Sequence, residues 1–231
     1  MMRNTSPHSK LIDAPPLILL GAGGHAKVVA ALARAAGLRL EGVCDPALAA
    51  DGVHEWRGLR VLGDDTALAR FNPYDYQLAL GIGSLPGSHL RAERYLALTA
   101  LGYSFPKLIH PSAVVDETVV VADGAQIMAG VILQPEVSIG RNAIINTGAM
   151  IDHDGNIGDH VHVAPGAVLC GGIFVGDNSF IGASATLLPR VKIGCCCLVA
   201  AGSTLACDLP DGGIYTPHRL VQPFNQGSQN R

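Results

Sequence analysis

An aliphatic side chain recurs at every sixth position from Ile109 to Leu205, through Val115, Val121, Ile127, Leu133, Ile139, Ile145, Ile151, Ile157, Val163, Leu169, Val175, Ile181, Leu187, Ile193 and Val199. Four residues after each comes a mostly small or β-branched residue, as at Ala113, Val119, Ala125, Val131, Val137, Ala143, Ala149, Gly155, Val161 and Ala167. One residue after it is often Gly, Asn or Asp, as at Gly140, Asn146, Asp152, Gly158, Gly176, Gly182 and Gly194. A helix of 3.6 residues per turn cannot hold a period of six on one face. Simple strand alternation with period two does not single out one position in six.

The pattern is a hexapeptide repeat, and its physical reading is a prism-shaped parallel β-helix. Each hexad supplies one short strand and a corner, and three hexads close one coil. The aliphatic residue points to the axis, the small residue fills the narrow space beside it, and the Gly, Asn or Asp that follows is expected to take a corner conformation with positive φ. Sixteen hexads give a little over five coils. At an inter-strand spacing of roughly 4.8 Å the prism is about 25 Å long. No hexad is interrupted, so no large loop is expected between coils.

Composition suits such a fold. The 231 residues include 28 Gly and 14 Pro and only 5% aromatics, which favours many corners and small side chains. At 48% hydrophobic and 15% charged, the chain can bury one large core or two modest ones. A net charge of −3 gives no electrostatic case for nucleic acid or an anionic membrane as partner. The apolar run Leu17 to Leu20 is too short for a signal segment or a membrane span, so a cytoplasmic protein is expected. Six cysteines (Cys44, Cys170, Cys195, Cys196, Cys197, Cys207) form no C-x-x-C pair, and neighbouring strand side chains face opposite ways, so reduced packing cysteines and no metal are expected.

Residues 1–16 read as a flexible tail. Leu17 to Leu20 is a buried strand, followed by the glycine turn Gly21-Ala-Gly-Gly-His-Ala26 and a helix over Lys27 to Ala36 that Gly37 closes. Leu38 to Cys44 and Gly58 to Leu62 read as strands and Asp64 to Arg70 as a short helix. Tyr76 to Leu80 is a further strand, Pro86 to Leu101 a helix, and Gly102 to Phe105 a last strand. This alternation predicts a small Rossmann-like α/β domain over 17–105, about half of a full dinucleotide-binding fold. Pro106 opens the prism domain, 106–208, and 209–231 is a C-terminal tail.

Two motifs carry candidate chemistry. Gly21-x-Gly23-x-x-Ala26 sits between a strand and a helix with Asp45 twenty-two residues after Gly23, an arrangement that lets backbone N–H groups approach a pyrophosphate. NAD binding, a turn without ligand and the binding of one nucleotide diphosphate all fit the spacing. The last is preferred, because the domain has too few elements for a second nucleotide half. Asp45 then reaches a base or ribose, and Gly81-Ile-Gly83 leaves open space at the next strand end. In Asn146-Thr-Gly-Ala-Met-Ile-Asp152-His153-Asp154, His153 falls two places after the inward Ile151 and points outward. A carboxylate beside an imidazole fixes its tautomer and strengthens it as a base, although a surface histidine at a corner is ordinarily just solvated. His162 lies half a coil further, on a different prism face, and His160 reads as an exposed corner residue. His25 ends the glycine turn, where a ligand contact and a structural hydrogen bond are both open. His110 and His218 have no identifiable partner.

Together the N-terminal Leu-Leu-Gly-Ala-Gly-Gly-His-Ala-Lys-Val-Val, the hexad prism and Asn-Thr-Gly-Ala-Met-Ile-Asp-His-Asp resemble the sialic acid O-acetyltransferase group of sugar O- and N-acyltransferases, over roughly residues 17–220. Most similar are the N-acetyltransferases of nucleotide-linked 4-amino sugars. The resemblance implies a left-handed β-helix, against the usual crossover hand, and a homotrimer with acetyl-CoA as cosubstrate between two prisms. It implies His153 as general base with Asp154 as its acidic partner, His162 near the thioester, and Gly171, Ala183 and Ala201 along the cofactor groove. Gly23, Gly24, His25, Asp45, Gly83 and Asn146 are the implied substrate-binding residues. Thr216-Pro217-His218-Arg219 departs from the family's usual Gly-x-Pro-Ala-Lys ending, and Pro46 stands where an acidic residue can occur. The implied reaction is direct acetyl transfer to a sugar amine, with backbone N–H groups or His162 meeting the oxyanion. O-acetylation of a sialic acid or similar sugar, an NAD-dependent enzyme and a non-catalytic sugar-nucleotide-binding scaffold are the alternatives.

Overall fold

The computed structural model describes residues 14–217 and 219–221. The expected N-terminal tail up to residue 13, His218 and residues 222–231 lie outside the described residues. The chain divides into two compact units. One takes residues up to 83 together with 95–106, the other residues 84–94 together with 107 onward.

The first unit is built on β1 (Leu17–Leu20), whose four residues are all buried. Parallel neighbours β2 (Leu40–Cys44), β4 (Leu59–Gly63) and β5 (Gln77–Leu80) extend the sheet. The hairpin partner β3 (Glu55–Trp56) closes its edge, giving the order β3-β4-β2-β1-β5. Helix α1 (Gly24–Ala35) turns Ala26, Val29, Ala30, Leu32 and Ala33 into the core. Ala26 fits because Gly81 faces it: a Cβ on Gly81 would lie 2.6 Å from the Ala26 Cβ. Tyr103 fastens the base of the unit, its hydroxyl donating to Leu68 O at 2.7 Å.

Several elements differ from expectation. The first helix begins at Gly24 rather than Lys27. A short helix, α2 (Pro46–Ala50), follows Asp45 because proline suits the first helical position and the Asp45 carboxylate caps it. Residues 65–70 form a 3-10 helix. The helix expected from Pro86 is α3 (Leu90–Ala100), since Gly87 at φ +74° turns the chain first. Gly102 to Phe105 makes one bridge, Gln77 to Ser104, instead of a strand. The expected domain border at 105/106 is also incomplete, because residues 84–94 belong with the prism.

The second unit is the prism. Seventeen two-residue strands, β6 (Leu108–Ile109) to β22 (Thr204–Leu205), follow one another every six residues. Strands eighteen residues apart pair in parallel, as Ile132 with Met150 and Met150 with Val168, so three hexads make a coil. Three sheets result. The axial residues from Ile127 to Leu205 are at most 2% exposed, and each buried aliphatic side chain contributes roughly 1.5–3 kcal/mol. The face carrying β21 (Leu198–Val199) continues past the expected end at 208, through β23 (Ile214–Thr216) and its antiparallel partner β24 (Arg219–Val221).

Positive φ does not fall where it was expected. It occurs three residues after the axial position, at Glu136, Asn142, Asp154, His160, Asn178, Ser184, Arg190 and Cys196, and at Gly130, Gly148, Gly166, Gly172 and Gly202. The glycines one residue after the axial position are there for a different reason. A Cβ on Gly176 would lie 2.7 Å from Cys195 N, and one on Gly140 2.5 Å from the Gly158 carbonyl carbon. Those glycines allow one coil to sit on the next.

Candidate active site

His153 stands at the corner after β13 (Met150–Ile151), with 61% of its side chain exposed. Its neighbours on that corner are Pro135 one coil before, whose carbonyl accepts Asp154 N–H at 3.1 Å, and Gly171 one coil after. Asp154 takes φ +60°, and this left-handed kink brings its Oδ2 to 2.7 Å from His153 Nδ1. Asp152 Oδ1 accepts the His153 N–H at 2.8 Å. Nδ1 therefore carries the proton and Nε2 presents a lone pair. The hydrogen bond that Nδ1–H donates to Asp154, then the charge of Asp152, raise the imidazole pKa above its ordinary value. Gly171 lies against the ring, and a Cβ there would sit 2.5 Å from Nε2.

His162 lies in β15 (His162–Val163), on another sheet, and is 8% exposed. Its state follows from its neighbours. Asn146 Oδ1 accepts the Thr147 N–H at 2.8 Å, which directs Asn146 Nδ2 to His162 Nε2 at 3.2 Å. Nε2 is thus an acceptor, and Nδ1–H donates to Ser84 O at 3.1 Å. Burial pushes the imidazole down to about 4, and the ring meets Phe180 edge-on at 4.8 Å. A neutral ring whose Nε2 accepts has no donor for an oxyanion, which corrects that part of the expected chemistry.

Nearby, Arg91 is 3% exposed and donates from Nε to Asn142 O at 3.3 Å. Asn142 Nδ2 reaches His160 Nδ1 at 3.0 Å. His160 does occupy a left-handed corner, but it is half-buried rather than exposed. Burial, then the Arg91 charge, lower its pKa, while Asp159 opposes them. Because both His160 and His162 titrate lower in the fold than in the unfolded chain, their contribution is complete above about pH 6.5 and is lost as pH falls toward 4. A series of urea midpoints is expected to be flat above pH 6.5 and to drop between 6.5 and 4. Exposed His153, raised instead, opposes this only weakly. An unchanged midpoint at pH 4.5 would show that neither ring is held neutral by the fold.

Ala183 and Ala201 follow one another on a different corner from His153, joined by Gly202 N–H to Ala183 O at 2.8 Å. Within one chain, then, Gly171 keeps company with His153, while Ala183 and Ala201 share the corner after the sheet of His162. In the α/β unit, Gly23 and Gly24 are open, since a Cβ on either would meet nothing within 4 Å. Gly83 lies against His25, 3.3 Å from Cβ to Cβ if it had one. Asp45 is first a clamp: its Oδ1 accepts Ala47 N–H and Leu48 N–H at 3.0 Å each, and its Oδ2 accepts Ala22 N–H at 2.8 Å, fixing the glycine turn. His110 also has a partner, Ser112 Oγ at 2.8 Å from its Nδ1. Ser84, Arg91 and Asn142 escaped the sequence reading; the one local signal was Pro86-Gly87, which shortens the helix expected to contain Arg91.

An α/β unit with a glycine turn, joined to a hexad prism with an outward His–Asp pair, defines a hexapeptide-class transferase. Residues 16–89 match the PglD N-terminal domain and 118–153 match the bacterial transferase hexapeptide (six repeats). A mutant perosamine N-acetyltransferase from Caulobacter crescentus, in complex with CoA and GDP-perosamine, is 36% identical with a TM-score of 0.80, covering 90% of this chain and 97% of that one. The acetyltransferase domain of PglB from Neisseria gonorrhoeae is 30% identical with a TM-score of 0.82, covering 90% and 100%. The same domain in complex with acetyl coenzyme A gives 30% and 0.80, covering 89% and 98%. A search of curated protein sequences returns no match. The chain belongs to the left-handed β-helix sugar acyltransferases with a PglD-type N-terminal domain, and it is an acetyl-CoA-dependent sugar acetyltransferase. Among the described residues no helix is long and apolar enough to cross a membrane.

Proposed function

We propose that this chain transfers acetyl from acetyl-CoA to the 4-amino group of a nucleotide-linked amino-deoxy sugar, with His153 as general base, as a cytoplasmic homotrimer. The observation that carries the reading is the outward imidazole whose Nδ1 is held by Asp154, leaving the Nε2 lone pair free to take a proton. Support for an amine on a nucleotide sugar comes from the perosamine N-acetyltransferase, 36% identical over nearly its whole length.

The amine nitrogen attacks the thioester carbon as His153 Nε2 removes its proton. Collapse of the tetrahedral adduct breaks the carbon–sulfur bond, the CoA thiolate leaves, and the imidazolium proton returns to it. Asp154 stabilises the imidazolium in between. Since His162 Nε2 accepts from Asn146, backbone N–H groups of the prism corner meet the oxyanion. The glycine turn and Gly83 take the nucleotide half. The His153 corner and the His162 face belong to different sides of one prism, and a trimer supplies each site with one from each of two copies.

Thiol release from acetyl-CoA against UDP-, GDP- and dTDP-linked 4-amino sugars, with free sialic acid beside them, tests the proposal. Turnover is expected with one of the nucleotide-linked amines. Turnover confined to sialic acid hydroxyls would replace N-transfer by O-transfer, and none with any acceptor would leave a non-catalytic binding role.

A further inference from the structure

We propose that Gly171 is a positioning residue for the base: it lacks a side chain because the imidazole of His153 occupies that space. The inference rests on the reading of His153 as the base.

Glycine is kept in this prism for two common reasons. At Gly130, Gly148, Gly166, Gly172 and Gly202 the backbone is left-handed, with φ between 67° and 70°. At Gly140, Gly176 and Gly182 a Cβ would run into the backbone of the next coil. Gly171 fits neither. Its φ lies outside the left-handed region, so an alanine is sterically permitted by its own backbone. The three atoms nearest to its hypothetical Cβ all belong to one side chain: His153 Nε2 at 2.5 Å, Cε1 at 2.6 Å and Cδ2 at 3.1 Å. The nearest of them is the nitrogen that takes the proton.

The register explains the juxtaposition. Met150 pairs with Val168 and Ile151 with Leu169, so His153 and Gly171 occupy equivalent corner places on successive coils. The corresponding place is Pro135 on the coil before and Pro189 on the coil after. The column thus offers the imidazole a flat bed at one position, Gly171. The Asp154 carboxylate holds the ring at Nδ1, and Gly171 sets where the opposite edge comes to rest.

A methyl group at 2.5 Å must be relieved by about 1 Å of movement to reach ordinary contact, and the cheapest movement is rotation of the exposed ring into solvent. Displacement of a reacting group by about 1 Å can cost roughly a hundredfold in rate. Gly171→Ala keeps its peptide N–H and its backbone, so the effect should fall on kcat with folding retained.

The test is a double-mutant cycle of wild type, Gly171→Ala, His153→Ala and both together, with kcat, both KM values and melting temperature measured for each. Gly171→Ala is expected to lower kcat about 10- to 100-fold with the KM for acetyl-CoA within about threefold, and to have almost no further effect when His153 is already alanine. In NMR titration its His153 pKa should fall toward the ordinary imidazole value as the ring leaves Asp154. Equal losses from Gly171→Ala with and without the imidazole would overturn the proposal, assigning Gly171 an independent role through its own backbone. So would wild-type kcat in Gly171→Ala. If Gly171→Ala melts early, His153→Ala must restore the melting temperature, and a loss that persists in the double variant also overturns it. Wild-type turnover in His153→Ala alone is a separate outcome, one that removes the base itself.

Discussion

His153→Ala is expected to lower kcat at least a hundredfold while the KM for acetyl-CoA and the melting temperature stay near wild type. The magnitude follows from the task, since a positioned base contributes typically about 10²–10⁴ in rate. The selectivity follows from placement. More than half the side chain is exposed, and its hydrogen-bonding side-chain partner among the described residues is the equally exposed Asp154, so no core packing leaves with it. Its pH dependence has a definite sign. As the proposed base, the imidazole has to be deprotonated, and Asp154 and Asp152 raise its pKa, so kcat/KM is expected to fall on the acid side below that raised value. Asp154→Asn removes the leading cause, which moves the acid limb to lower pH and lowers the plateau, because the imidazolium loses its carboxylate. Near-normal turnover in His153→Ala at saturating substrates would take the base away from His153 and with it the proposed proton path.

The parts of this molecule that were legible in the sequence are those fixed by local spacing. Ile127 to Leu205 line the axis because an aliphatic residue every six positions has one consistent solution, and the outward direction of His153 follows from its offset from Ile151. The Asp154 pairing was legible for the same reason, being one residue away. What escaped depends on residues a coil or more apart. Glycines such as Gly140 and Gly176 are required by the coil that lands on them, and the left-handed residue is instead the one two places later. His162 owes its tautomer to Asn146, sixteen residues back, and to Ser84, seventy-eight residues back. No periodicity reports such partners. Asp45 shows the opposite hazard. Its distance from Gly23 suggests a ligand contact, yet its oxygens are engaged by three backbone N–H groups, since Pro46 opens a helix that needs a cap.

The coil-to-coil role of the inter-strand glycines carries the largest expected effect on stability. Gly182→Ala should destabilise the prism by about 2–4 kcal/mol, from overpacking worth about 1–3 kcal/mol and a weakened hydrogen bond worth about 1 kcal/mol. A Cβ there would meet Ala201 N, the Ala200 carbonyl carbon at 2.6 Å and Val199 O at 2.7 Å, all backbone. Unlike the imidazole beside Gly171, these atoms cannot swing away. Relief requires the two coils to part where Gly182 N–H donates to Val199 O at 2.8 Å. For a chain of this size the melting temperature should fall by roughly 4–16 °C. Gly148→Ala is the control, since its φ is +67° and nothing lies within 4 Å of its Cβ, leaving only a left-handed alanine at about 1–2 kcal/mol. Should Gly182→Ala melt no lower than Gly148→Ala, close approach of successive coils would not be why glycine stands there. Ala201, on the coil that must move, also belongs to the proposed acetyl-CoA groove, so the KM for acetyl-CoA should rise in Gly182→Ala and not in Gly148→Ala.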